Sequence, residues 1–464
     1  CKSGNPEDNN RSNDLFINNR DLTFTERSAE YGLNIKGLST HAAFFDFDHD
    51  NDLDCYLLTN SFRSVGGFDL VKDQRQVKDP DGGNLFFENQ KGYFVDVTER
   101  VGIYSSKIGF GLGITLGDFN QDSWQDIYIS NDFFEKDYLY LNNGKGSFIE
   151  SLENHFSSIS MGSMGADFAD INNDGLPDLF VTEMLPNDNQ RLKTKATFEN
   201  WDKQHLAASM GYFNQYPHNV LQLNNGDGSF SEISRLSGVS ATDWSWGALM
   251  ADFDNDGMKD IFVTNGIYKD LLDQDYVNFM ANPETINRIL TKQGSVIKKL
   301  VDMMSSEPLP NYMFRNNGNL QFNNVVEEWG LASPSFSNGA AYADLDNDGD
   351  IDLVVNNVNM RSFIYENKTN NRETHPNYLS VSLKGQSKNT LAIGASVILY
   401  ANNQAFFQEL NPYRGFESSV DAKLTFGLGK IASIDSVKVK WPTGVQTILK
   451  NVSVNRHVVI EETL

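Results

Sequence analysis

A chain of 464 residues with 39% hydrophobic and 12% aromatic content, including 32 Phe and 17 Tyr, is too rich in core-forming side chains to be disordered. Its net charge of -24, from 62 acidic against 38 basic residues, leaves no clustered Lys and Arg footprint for nucleic acid or anionic lipid. Two cysteines, Cys1 and Cys55, exclude a disulfide framework and a Cys/His zinc cluster, and no apolar run reaches the roughly 18 to 20 residues of a membrane span.

The first element is an apolar strand, an Asn-rich turn and a Phe: Leu15-Phe16-Ile17-Asn18-Asn19 with Phe24. The pattern recurs at residues 85–89 with Phe94, 139–144 with Phe148, 221–226 with Phe230, and 313–318 with Phe322. Asn-Gly between apolar runs predicts a hairpin closed by a type I′ turn, because both residues tolerate positive φ. After each hairpin comes an acidic loop of the form Asp-x-[Asp/Asn]-x-Asp-x-x-x-Asp, at residues 46–54, 118–126, 170–178, 252–260 and 344–352. From the Phe to the first Asp the distance is 22, 24, 22, 22 and 22 residues, and spacing this regular is structural.

Carboxylates at alternate positions repel one another unless a hard cation with oxygen ligands holds them. Side chains at positions one, three, five and nine and the carbonyl at seven predict up to five Ca²⁺ sites. The first loop offers Asp46, Asp48, Asp50, Asp52 and Asp54, the second Asp118, Asn120, Asp122, Trp124 and Asp126, and the third Asp170, Asn172, Asp174, Leu176 and Asp178. The fourth offers Asp252, Asp254, Asp256, Met258 and Asp260, the fifth Asp344, Asp346, Asp348, Asp350 and Asp352. These are not EF-hands: position twelve is Leu57, Ile129, Val181, Val263 or Val355 where an EF-hand needs a bidentate Glu. Position six needs a sharp turn, supplied by Gly175, Gly257 and Gly349 and tolerated by Asn51, whereas Ser123 predicts a distorted second site. The loops hold 20 of the 62 acidic residues, so five divalent ions bring the formal charge to -14.

The interval from acidic loop to next hairpin varies widely. Each unit therefore reads as four strands, with the acidic loop and the hairpin turn on one face and a variable connection on the other. Tandem four-stranded units predict an all-β fold, a β-propeller over residues 1–367. Two insertions stand out. Residues 185–218 carry Arg191, Lys193, Lys195, Trp201 and His205, a local basic patch. Residues 269–308 carry a helix signal, with Pro283 near its start and Ile286, Ile289, Leu290, Ile297, Leu300, Val301 and Met304 on one face, packed on the propeller rim or offered to a partner. Residues 376–464 read as a separate small β domain. Cys1 is either the acylated first residue of a bacterial lipoprotein, with strands from 337–357 closing the first unit, or a point of truncation, which the orphan hairpin favours.

The repeats resemble FG-GAP/VCBS repeats, the calcium-loop blades of integrin-α-like propellers. The C-terminal part is similar to the ASPIC/UnbV domain, through Ile393-Gly394-Ala395-Ser396-Val397, Tyr413-Arg414-Gly415-Phe416, Phe426-Gly427-Leu428-Gly429 and Trp441-Pro442-Thr443-Gly444. The Asn-Arg pair that often precedes Ile-Gly-Ala in that family is replaced by Lys388-Asn389-Thr390. The resemblance implies a secreted or cell-surface protein and a propeller of seven blades, two of them upstream of residue 1; it implies no enzyme mechanism.

The function expected is a calcium-stabilised binding scaffold, extracellular or on a bacterial outer membrane, that recognises a protein or glycan through the insertions and is not an enzyme. The alternatives are a polysaccharide lyase or hydrolase, using Asp243, Trp244, Trp246, His205 and His218 at the channel mouth, or an accessory subunit of an outer-membrane transporter. No metal-binding His pair and no Gly-x-Ser-x-Gly elbow occurs among the seven histidines and the serines of the chain.

Overall fold

A computed structural model describes residues 12–61, 72, 74–79, 82–196, 201–284, 295–371, 375–386 and 388–463. Cys1 and the predicted helix residues Ile286, Ile289 and Leu290 lie outside them.

Five antiparallel sheets follow one another in tandem. The first blade joins Leu38–Phe45, Asp54–Asn60, Leu85–Gln90 and Tyr93–Asp96. The second joins Gly111–Gly117, Asp126–Asn131, Tyr138–Asn142 and Phe148–Glu150; the third Ala166–Ala169, Asp178–Val181, Val220–Asn224 and Phe230–Glu232. The fourth joins Ser245–Ala251, Asp260–Asn265, Tyr312–Asn316 and Phe322–Asn324. The fifth has three strands among the described residues, not the four the repeat predicts: Ser337–Ala343, Asp352–Asn357 and Phe363–Tyr365. First strands of successive blades lie side by side, which makes the body a β-propeller with the acidic loop joining each blade's first and second strands.

The Phe of the hairpin packs between blades. Phe148 of the second blade meets Phe47, the second residue of the preceding blade's acidic loop, with ring centroids 6.1 Å apart. Phe230 meets Phe119 in the same way at 6.3 Å, and Phe322 shares a buried cluster with Ile171. Phe148, Phe230 and Phe322 thus each wedge one blade against the loop of the blade before it, burying an aromatic face at three joints. The hairpin Phe16–Asn18 and Phe24–Glu26 pairs with no further strand among the described residues, and its Phe24 is exposed.

The predicted type I′ turn is corrected. Asn142 pairs with Phe148, Asn224 with Phe230 and Asn316 with Phe322, so five residues separate the strands and Asn-Gly does not form a two-residue turn. A two-residue turn does occur at Lys91-Gly92, between paired Gln90 and Tyr93, with φ of 58° and 94°.

The C-terminal domain packs a three-stranded sheet, with Asn377–Lys384 between Leu424–Gly429 and Arg456–Glu461, on a four-stranded sheet of Gln404–Glu409, Ser396–Ala401, Ile434–Lys440 and Gln446–Val452. Buried Leu379, Val397, Phe426, Val439 and Trp441 belong to its single core. The domain has its own core, and one of its connections reaches into the propeller. Residues 410–423 leave the sandwich and touch the first strand of every blade. Tyr413 meets His41 edge-on at 6.4 Å, the Asn411 amide donates to the Leu116 carbonyl at 2.5 Å, and the Gly415 N–H donates to the Ala166 carbonyl at 2.9 Å. Phe416 packs on Trp246 at 4.9 Å, and the Asp421 N–H donates to the Tyr342 carbonyl at 3.3 Å. The segment is a plug on the propeller axis. Gly165 lets it approach: a Cβ there would lie 2.5 Å from the Trp246 carbonyl oxygen and 2.8 Å from the Gly415 backbone.

Candidate metal centres

Each acidic loop turns on two left-handed residues. Position four (His49, Gln121, Asn173, Asn255, Asn347) has φ between 56° and 63°, and position six (Asn51, Ser123, Gly175, Gly257, Gly349) between 72° and 98°. Ser123, at 79°, is the residue held against its preference, since a Cβ crowds the backbone there. The turn points carboxylates inward. The position-one carboxylate accepts the position-six N–H in four loops: Asp46 from Asn51 at 3.0 Å, Asp118 from Ser123 at 2.8 Å, Asp170 from Gly175 and Asp252 from Gly257 at 2.9 Å. Position five accepts the position-seven N–H in all five loops, at 2.8–3.1 Å, which fixes the peptides of Asp52, Trp124, Leu176, Met258 and Asp350.

Position nine is a brace as well as a candidate ligand. One oxygen of Asp54, Asp126, Asp178, Asp260 and Asp352 accepts the N–H of the loop's second residue. The other accepts the N–H of Asn89, Asn142, Asn224, Asn316 or Asn367. The amide of that Asn then reaches further: Asn142 to the Phe47 carbonyl, Asn316 to that of Ile171 and Asn367 to that of Phe253, each in the loop of the preceding blade or two residues into it. Sequence reading took these asparagines for turn residues only. Their recurrence one strand after every position-nine Asp was the signal.

Three loops gather three carboxylates with ligand atoms within 4.8 Å of one another: Asp46, Asp48 and Asp50; Asp252, Asp254 and Asp260; and Asp344, Asp346 and Asp348. In the second and third loops the position-three residues are Asn120 and Asn172, whose amides donate to Asp122 and Asp174 at 3.0 and 2.9 Å, so no such trio forms there among the described residues. Among the described residues, buried oxygens of Asp46, Asp344, Asp348 and Asp350 have no hydrogen-bond partner. Burial, with neighbouring carboxylates adding to it, pushes Asp46 and Asp252 to about 7, and Asp350, also under its neighbours' charge, to about 7. Burial likewise pushes Asp54 and Asp178 to about 8. Orphaned oxygens in a site that resists negative charge fit a hard divalent cation, and an all-oxygen donor set suits it better than a metal that seeks nitrogen or sulfur.

The C-terminal domain sits on this face. Lys388 donates to Asp52 at 2.8 Å, Lys423 to Asp344 at 3.2 Å and Lys440 to Ser123. The Gly429 N–H donates to the Asn255 carbonyl at 2.9 Å, and a Cβ at Gly349 would overlap the ring of Tyr378. Below it the plug is anchored by buried Arg414, which donates to Asp167 at 2.5 Å and to the carbonyls of Phe168, Asn411 and Glu409.

The opposite face carries the insertions, and the expected basic patch is corrected. Arg191 is bound by Asp243 at 2.5 Å, Glu307 at 2.8 Å and Asp270 at 3.5 Å, and Lys195 by Asp273 at 2.5 Å and Asp270 at 3.5 Å. Arg191 and Lys195 of one insertion are thus held by Asp270, Asp273 and Glu307 of the other and by Asp243 beside the fourth blade, which joins the two insertions into one cap, while Lys193 is exposed. Although burial pushes Asp273 up, hydrogen bonds from Lys195, the Tyr276 N–H and Ser305 hold it down at about 2. It caps the helix Gln274–Ala281, which ends before Pro283; on the helix Ser295–Met303 and just after it, Leu300 and Met304 of the expected stripe are half-buried and Val301 is exposed, as is Met303 outside the stripe. Of the proposed channel-mouth residues, Trp244 and Trp246 lie together with ring centroids 6.3 Å apart, and the Trp244 N–H donates to Asp243. Asp243 is held by Arg191, Trp246 donates to the Gly266 carbonyl, His218 is buried against Asn219, and His205 stacks on exposed Trp201.

Residues 118–181, 206–263 and 299–355 match the FG-GAP-like repeat, and residues 385–463 match the ASPIC and UnbV domain. The chain is an FG-GAP-repeat protein with a C-terminal ASPIC and UnbV domain. It is similar to cartilage acidic protein 1 of Homo sapiens, 22% identical over 442 residues, covering 94% of this chain and 56% of the relative. The Xenopus tropicalis protein of that name is 25% identical over 257 residues, covering 50% and 39%. The chain spans about half the length of the human and mouse relatives it matches. Among solved structures, an Agrocybe aegerita lectin specific for non-reducing terminal N-acetylglucosamine is 12% identical with a TM-score of 0.35, covering 89% of this chain and 92% of that one. Among the described residues of this FG-GAP-repeat protein, no helix is long and apolar enough to cross a membrane.

Proposed function

We propose that this FG-GAP-repeat protein is a calcium-stabilised extracellular or cell-surface scaffold that docks a protein partner through its insertion cap. Calcium is the cation that fits loops of carboxylate and carbonyl oxygen closed within nine residues. The likeness to proteins named for cartilage supports the extracellular setting.

One observation carries the reading. Arg191 and Lys195 of the cap are engaged by neighbouring acids, while large apolar side chains stay in solvent: Trp201 is 76% exposed, Met303 56%, Leu271 51% and Phe279 39%. Apolar and aromatic groups left exposed on a neutralised surface mark protein interfaces, where such residues act as anchors. The loop face, by contrast, is covered by the chain's own C-terminal domain.

The full chain in calcium, probed on a panel of extracellular-matrix proteins and on a glycan array, is expected to bind a protein. A Trp201→Ser/Phe279→Ser variant is expected to bind it at least tenfold more weakly with an unchanged melting temperature. Binding untouched by the substitutions, binding confined to glycans, or turnover of a polysaccharide overturns the proposal.

A further inference from the structure

The five loops act as internal controls for one another, and the fifth departs from the rest. In loops one to four the position-one carboxylate accepts the position-six N–H. In the fifth, the Gly349 N–H makes no hydrogen bond among the described residues, and the Nζ of Lys423, at the end of the plug, takes the oxygen of Asp344 at 3.2 Å instead. Among the described residues, the other oxygen of Asp344 is buried without a partner, as is one oxygen each of Asp348 and Asp350.

This loop also lies at the junction of the two bodies. The Asn370 N–H donates to Asp350 at 2.8 Å and its amide to the Asp348 carbonyl at 3.1 Å, so the linker out of the propeller wraps the loop. Tyr378, at the start of the first C-terminal strand, lies over Gly349. Two residues before Lys423, Asp421 fastens the plug to Tyr342 of the blade that carries the loop.

We propose that the fifth loop is an exchangeable divalent-cation site in which the cation and Lys423 compete for Asp344, so that filling it loosens this end of the plug. The inference rests on the calcium reading of the loops. Lys423 and Asp344 are 15% and 5% exposed, and a divalent ion arriving at the free oxygen of Asp344 meets the ammonium a few ångströms away. Repulsion across that distance weakens the site by about tenfold, and by linkage the ion weakens the hold of Lys423 by the same factor. The fourth loop has a competitor too, Arg315 on Asp254 at 2.7 Å, but Arg315 is 43% exposed, belongs to the same blade and can swing into water without moving the plug. Lys388 at the first loop pairs with the side chain of Asp52, which is expected to coordinate through its carbonyl.

The test is calorimetric titration of the full, cation-free chain with Ca²⁺, alongside hydrogen exchange of the Gly415 and Asp421 amides. A weak class of site is expected whose filling speeds exchange at Asp421 at least threefold and leaves Gly415 unchanged. Lys423→Gln is expected to tighten that class about tenfold and abolish the calcium-dependent step at Asp421; Lys423→Arg retains both, and Arg315→Gln leaves Asp421 exchange as in the parent. An unchanged titration in Lys423→Gln, or Asp421 exchange indifferent to calcium, overturns the proposal while sparing the calcium reading. Absence of calcium heat in any loop overturns both.

Discussion

Replacing Arg414 by alanine destabilises the full chain by about 3–5 kcal/mol, the cost of leaving one member of a buried ion pair without its partner. Arg414 and Asp167 are 9% and 0% exposed, and the guanidinium also satisfies three carbonyls, of Asn411 in the plug, Glu409 in the sandwich and Phe168 in the third blade. Without it Asp167 keeps the N–H of Met250 at 2.6 Å and of Phe168 at 2.7 Å but no counter-charge. Urea unfolding is the measurement. An Arg414→Met/Asp167→Asn double variant is expected to recover at least 1 kcal/mol of the loss, since removing both charges removes the uncompensated one. Equal losses in single and double variants would show that the pair holds nothing.

The second large effect belongs to position nine. Asp260→Ala leaves two buried N–H groups, of Phe253 and Asn316, without acceptors, at about 1–3 kcal/mol each. Because those bonds exist whether or not an ion is bound, most of the penalty is expected to persist in EGTA. Calcium then adds to it, since the variant also lacks a ligand. A variant whose destabilisation vanishes on chelation would mean that Asp260 serves the ion alone. Unfolding curves of parent and variant, each with calcium and with EGTA, separate the two roles.

What the sequence displayed and what it hid divide along contact distance. The acidic loops are nine-residue units whose left-handed turns and carboxylate spacing are local, so positions four and six fold as their residue types allow. Phe148, Phe230 and Phe322 stood out by their fixed interval to the following loop, whereas their wedge against the loop of the preceding blade, at sequence separations that vary, was not legible. Turn type was misread because Asn-Gly is a local signal overruled by register: Asn142 pairs with Phe148, five residues on. The basic patch was misread because Arg191 finds Asp243 and Glu307 at separations of 52 and 116 residues. The plug was the most hidden feature. Tyr413-Arg414-Gly415-Phe416 stood out as a motif, but its partners lie up to some 370 residues away in five different blades, and nothing in the local pattern of a small β domain announces that one of its connections fills a propeller axis.

These features give the two faces different tasks. The loop face is internal, where acidic cages, the Lys388, Lys423 and Lys440 contacts and the plug join one domain to the other. The insertion face leaves Trp201, Leu271, Phe279 and Met303 exposed.

The central claim is that cations in the acidic loops hold this assembly together, and differential scanning calorimetry of the full chain in calcium and in EGTA tests it most directly. An ion at 100 times its dissociation constant stabilises by about 2.7 kcal/mol per site. With three to five such sites on a body of this size, the melting temperature is expected to fall by roughly 10 °C on chelation. Superimposable traces with and without calcium would contradict the account.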